Sequence, residues 1–136
     1  RPPPEVDRFC QRHLHDPVRV EVPPECLTFE GIRQFYVAVE RAEWKLETLL
    51  DLFEITEHTP CLVFTNTRRK AVWVCEHLVQ RGISAAALHL DLPPDRRDQL
   101  MTGVCQGSIR VVITTDPLVR VNLGQVPMIV NYDMPP

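Results

Sequence analysis

Residues Pro60–Lys70 read PCLVFTNTRRK. An apolar, β-prone run, Cys61–Phe64, gives way to the small polar side chains of Thr65, Asn66 and Thr67, and then to three cations, Arg68, Arg69 and Lys70, that open a helical pattern. A strand ending on hydroxyl and amide groups just before a helix brings unpaired backbone N–H groups together with the positive end of a helix dipole. That arrangement suits a phosphate. A strand feeding directly into a helix is also the first half of a β-α-β unit, so the rest of the chain can be read outward from it.

Downstream, Thr67 is placed to cap a helix whose inner stripe is Ala71, Val74, Cys75, Leu78 and Val79, and Gly82 follows as a C′ residue. Ile83–Leu88 is apolar enough for a strand covered on both faces and runs into His89–Leu90–Asp91. Pro93 and Pro94 lead into a helix carrying Leu100, Met101 and Val104 that ends near Gly107. Ile109–Ile113 reads as another buried strand, followed by Thr114–Thr115–Asp116, and Pro117 starts a loop or short helix through Gly124. Met128–Val130 is the next strand, leading into Asn131–Tyr132–Asp133.

Upstream, the β-branched and aromatic run Ile32–Val39 predicts a strand, and Leu46, Leu49, Leu50 and Phe53 predict a helix with Trp44 packed at its start. Before that, Val6, Phe9, Cys10 and Leu14 fit a short helix, and Val18, Val20 and Val22 fit an edge strand or linker stopped by Pro23 and Pro24. Strands alternating with helices mean an α/β fold, a mostly parallel sheet with helices on both faces. Residues 1–26 form the lead-in of this scheme and 27–136 the domain.

The 136 residues suffice for one core, burying roughly two-thirds of the unfolded surface. A formal net charge of −3 argues against a binder that relies on a broad positive field, so any nucleic-acid contact has to be local. Five widely spaced cysteines, Cys10, Cys26, Cys61, Cys75 and Cys105, form no CxxC pair and no zinc spacing. They read as small buried apolar residues in a reducing compartment, cytosol or nucleus, and no membrane-length apolar run occurs. The first residue is Arg1 and the last are Pro135 and Pro136, so both ends are expected to be cuts through a longer polypeptide.

Four strands are each followed by a polar cluster: Thr65–Asn66–Thr67, His89–Asp91, Thr114–Thr115–Asp116 and Asn131–Asp133. In a parallel sheet these carboxyl ends share one edge, where open α/β folds bind ligands. Any single cluster also reads as an ordinary turn or cap. The cations Arg68, Arg69 and Lys70 oppose the dipole of the helix they open, which suggests an anion to receive. Neither GxxxxGK[ST] nor GxGxxG is present, and no nucleophile-base or paired-carboxylate arrangement can be assembled. No catalytic residue is assigned.

The segments LTFEGIRQFYVAVERAEWKLETLLDLFE, CLVFTNTRRK, HLDLPPDRR, IRVVITTD and VNYDMP together resemble, in collinear order from about Pro3 to Pro135, the C-terminal RecA-like domain of DEAD-box RNA helicases, and within them the initiation factor 4A group. The resemblance implies half of an enzyme, in which two RecA-like domains close over ATP and single-stranded RNA. The absent N-terminal domain carries the P-loop and DEAD residues and, with them, most of the hold on ATP and Mg. It implies RNA-backbone contacts for Asn66, Thr67, Arg68, Asp91, Arg97 and Thr115, and ATP-side contacts for Asp116, Arg120 and Asn122. It also implies that the N-terminal RecA-like domain and helical-repeat scaffold proteins of the translation or exon-junction machinery are partners.

Three departures bear on that expectation. The family's His-Gly-Asp reads His89–Leu90–Asp91, its Arg-Gly-x-Asp reads Arg120–Val121–Asn122, and the glutamine of QxxR is Pro94. A leucine in place of glycine blocks close approach of backbone to phosphate and disfavours positive φ. The chain also stops before the HRxGRxGR motif, whose loss typically costs about 10³–10⁵ in rate. By itself it is expected not to hydrolyse ATP. The alternative is a catalytically silent domain kept for binding protein.

Overall fold

A computed structural model of the chain describes residues 8, 12–13, 32–117, 119, 123–124 and 126–134. It falls into two units, Arg1–Val37 and Ala38–Pro136. In the first, Arg8, Arg12 and His13 are helical and exposed; the rest of the helix expected over Glu5–Leu14, and the strand expected over Val18–Val22, lie outside the described residues. The strand expected over Ile32–Val39 does not form: these residues carry no regular structure, and Phe35 and Tyr36 are 85% and 95% exposed. β propensity needs a ladder partner and a surface to pack on, and none of the described strands pairs with this run.

In the second unit a 3₁₀ turn, Ala42–Trp44, leads into helix α1, Lys45–Ile55. Then follow strand β1, Cys61–Phe64; helix α2, Arg68–Gln80; strand β2, Ala85–Leu88; helix α3, Pro94–Cys105; strand β3, Val111–Thr114; and strand β4, Met128–Asn131. The four strands form a parallel sheet in the order β2-β3-β1-β4. In register, Cys61 sits between Val111 and Met128, and Phe64 between Thr114 and Asn131. The α/β reading and the mostly parallel sheet are those of the sequence.

Alternation along the strands sends side chains to two cores. Cys61, Val63, Val111 and Ile113 join Leu49 and Phe53 of α1 and Ala71, Val74 and Leu78 of α2 on one face. On the other, Leu62, Leu88 and Val112 meet Leu100, Met101 and Val104 of α3, together with Val119, Leu123 and Val126. Helices thus cover both faces, and β1 and β3 are buried along their whole length except Phe64, which is half-buried.

Helix ends follow the local chemistry. The Thr67 hydroxyl accepts from the Lys70 amide at 3.1 Å, the N-cap expected there. At the other end of α2, Gly82 adopts φ +79, its amide bonds Val79 O and the next amide, Ile83, bonds Leu78 O. That is a Schellman ending, which needs the left-handed conformation glycine adopts without cost. α3 ends the same way at Gly107, φ +78.

Candidate nucleic-acid interface

β1 and β3 are neighbours, yet their outgoing connections leave on opposite faces. The helix after β1 packs on the α1 side, whereas Val119 and Leu123, after β3, pack on the α3 side. A crevice therefore opens beyond the carboxyl ends of this central pair, the place where open parallel sheets take their ligands. Thr65–Thr67 forms one lip and Thr115–Asp116 the other.

The first lip is tightly fastened. Thr65 is buried, its amide bonds Thr114 O at 3.1 Å, and its hydroxyl donates to Thr67 O at 3.1 Å. Asn66 is tied to the chain after β4: its amide donates to Asp133 Oδ2 at 3.0 Å, and its side-chain Nδ2 to Met134 O at 2.9 Å. Thr67 caps α2, so the amides of Arg68 and Arg69, the first two of the helix, have no intrahelical acceptor. Exposed Arg68, Arg69 and Lys70 surround them. The lip offers donors and positive charge to an anion.

On the second lip the buried Thr114 hydroxyl accepts from the Asp116 amide at 3.0 Å, and Thr115 and Asp116 are half-buried. After β2, Asp91 forms an ion pair with Arg68, and Leu90 between His89 and Asp91 is 71% exposed. Arg97, half-buried on α3, donates to the carbonyls of His89 and Leu90 at 3.3 and 3.2 Å, bracing the loop after β2. After β4, Lys45 Nζ lies 3.2 Å from Asp133 Oδ1 and 5.5 Å from the centre of the Tyr132 ring. Burial, with the Asp133 charge beside it, pushes the Tyr132 phenol above its ordinary range.

The structure therefore gathers Asn66, Thr67, Arg68, Asp91, Arg97, Thr115 and Asp116 along one sheet edge. Arg120 and Asn122 lie outside the described residues. Leu88, His89, Arg97, Met101, Asp116 and Val119 line a cleft of about 50 Å³, where His89 Nδ1 is buried without a hydrogen-bond partner. That volume is enough for a water. Among the described residues no group of three or more His, Cys, Asp or Glu could hold a metal ion, and no helix is long and apolar enough to cross a membrane.

One residue went unread in the sequence. Lys45 and Asp133 meet 88 positions apart, but Lys45 opens α1 against the helix dipole, the same signal that marks Arg68–Lys70. Cys105, expected to be buried, is exposed at the last residue of α3. Trp73 is 39% exposed, with Lys70 Nζ 5.0 Å from its ring centre.

Comparison with known proteins adds a family to this geometry. Residues 44–136 match the model of the helicase conserved C-terminal domain. The ATP-dependent RNA helicase eIF4A of Schizosaccharomyces pombe is 44% identical over 134 residues, 98% of this chain and 34% of the relative. The chain thus spans about a third of the curated relatives it matches. Among solved structures, the C-terminal domain of the DEAD-box protein Dbp5 superposes with a TM-score of 0.71 at 29% identity, covering 79% of this chain and 61% of that one. S. cerevisiae Dbp5 bound to RNA and ADP BeF3 gives 0.78 at 26% identity, covering 96% and 34%.

Proposed function

The chain belongs to the helicase conserved C-terminal domain family and is of its DEAD-box kind, and we propose that it grips the backbone of single-stranded RNA as the C-terminal half of an ATP-dependent RNA helicase. The observation that carries this reading is the lip at Thr67. A capped helix N-terminus, two amides without intrahelical acceptors and three cations converge at the carboxyl end of a central strand. Donors of that kind recognise phosphate and sugar and leave the base sequence unread. ATP use rests on the relatives rather than on the described residues; closure against a first RecA-like domain would bring the loops after β3 to the nucleotide.

RNA binding is tested by titrating the polypeptide that contains this chain into labelled oligouridylate at several salt concentrations. Affinity should fall with salt, and Arg69→Ala with Lys70→Ala should weaken it and flatten the salt slope by about 0.7 for each phosphate that is no longer neutralised. Binding that is absent at low salt, or indifferent to salt, refutes the reading.

One observation favours a second reading, a silent domain retained for protein binding. Leu90 stands 71% exposed at the position of the family's glycine, where a ligand backbone would pass. Scaffold binding by a polypeptide that takes neither RNA nor ATP analogue would establish that reading instead.

A further inference from the structure

The β1–α2 lip is held from outside. Asn66 is exposed, yet both its amide and its side chain are engaged by residues 67 and 68 positions away. Its acceptors are Asp133 Oδ2 and Met134 O, which leave β4 together. Asp133 has only 17% of its side chain exposed, and its other oxygen takes Lys45 Nζ. The Tyr132 amide extends the ladder to Phe64 O at 2.9 Å, so the chain after β4 follows the chain after β1 one step beyond the sheet. One carboxylate thus joins the first residue of α1 to the turn that opens α2.

We propose that Asp133, oriented by Lys45, is a positioning residue for RNA: it fixes Asn66 so that the amides of Arg68 and Arg69 face the phosphate. This inference rests on the RNA-binding reading. It assigns Asn66 the part of a tether, since its amide and side-chain nitrogen are already spent on the β4 exit. A bond to an ionised acceptor is the stronger kind, and the ammonium of Lys45 offsets the charge that is withdrawn from water.

The sign of one substitution separates positioning from bulk electrostatics. Asp133 is an anion near an anion site, so its charge alone opposes RNA. Removing that charge in Asp133→Asn would tighten RNA binding if only the field mattered. Positioning requires the reverse, a loss of about tenfold, because the Asn66 amide exchanges a charged acceptor for a weaker neutral one. Lys45→Met should weaken binding to a similar degree, and Lys45→Arg, which retains the ion pair, should restore most of it.

The experiment uses the polypeptide containing this chain, with oligouridylate anisotropy beside amide hydrogen exchange at Asn66. The expected result is a protected Asn66 amide in the wild type, faster exchange in Asp133→Asn and Lys45→Met, and weaker RNA binding in both. Tighter or unchanged RNA binding in Asp133→Asn overturns the positioning role. An unprotected Asn66 amide in the wild type overturns it independently of any RNA result. A wild type with a protected amide and no affinity for RNA instead refutes the functional reading, and the positioning role falls with it. Should Asp133→Asn fail to fold, amide exchange at Asn66 in Lys45→Met decides the matter, since a rate unchanged from the wild type overturns the positioning role.

Discussion

Arg68 and Asp91 form an ion pair that joins the turn after β1 to the turn after β2. Their side chains are 57% and 68% exposed, so the pair lies in water and contributes at most about 1 kcal/mol. A phosphate can displace a partner held so weakly. Asp91 therefore keeps Arg68 at the mouth of the crevice while competing with the ligand for it.

Asp91→Asn should accordingly tighten single-stranded RNA binding by about two- to fivefold at low salt. Anisotropy titrations in a double-mutant cycle with Arg68→Ala provide the check. The gain should vanish when Arg68 is absent. An equal gain in both backgrounds would mean that Asp91 acts only through net charge.

A second arginine carries stability rather than binding. Arg110, just before β3, donates to Phe53 O at 3.0 Å, Thr56 O at 2.6 Å and Thr59 O at 3.1 Å, and its guanidinium lies 5.3 Å from the centre of the Phe53 ring. It takes carbonyls from the end of α1 and the turn beyond, where the chain has no helical donors left. Arg110→Met should cost about 2–3 kcal/mol. Urea unfolding should show a lower midpoint at unchanged slope, and a loss below about 0.5 kcal/mol would mean that water replaces the guanidinium without penalty.

These two arginines show what the sequence makes legible. Thr67, Arg68 and the elements around them follow from local order: a strand, small polar residues and a helix with an apolar stripe. Gly82 and Gly107 announce the ends of α2 and α3 in the same local way. Arg110 reaching Thr56 across 54 residues, and Lys45 reaching Asp133 across 88, depend on which strands are neighbours. Periodicity does not supply that order. The run Ile32–Val39 shows the opposite failure, since its strong β propensity finds no strand beside it.

The cysteines should differ in chemistry as they do in place. Burial in the core pushes the Cys61 thiol up from its ordinary 9.0 to about 12, although the nearby Arg110 charge pulls it back somewhat. At pH 8, maleimide should therefore label exposed Cys105 promptly and leave Cys61 intact until the protein unfolds. The raised value also fixes a direction with pH. Below about 9 both folded and unfolded thiols keep their protons and the contribution is complete; between about 9 and 12 only the unfolded thiol ionises, so stability falls as pH rises. Cys61→Ala should be less stable at neutral pH but lose less between pH 8 and 10, as urea midpoints at the two values would show. Parallel losses would mean that Cys61 is not the group responsible.

Thr67 offers the cleanest separation of folding from ligand binding, because its hydroxyl has an assigned structural task in accepting the Lys70 amide. Thr67→Ala removes that acceptor and should cost about 1 kcal/mol, while Thr67→Ser retains it and should cost little. Thr67→Asp retains an acceptor as well, and a carboxylate at a helix N-terminus interacts favourably with the dipole, so stability should equal or exceed that of the wild type. At the same time it places a negative charge where a phosphate is expected. RNA affinity should then order as wild type, Ser, Ala and Asp, with the most stable variant binding worst. Denaturation midpoints and oligouridylate titrations on the same four proteins measure both quantities. If affinity instead tracks stability, so that Asp binds as well as wild type, the anion at this helix end is not RNA phosphate and the crevice between β1 and β3 serves another ligand.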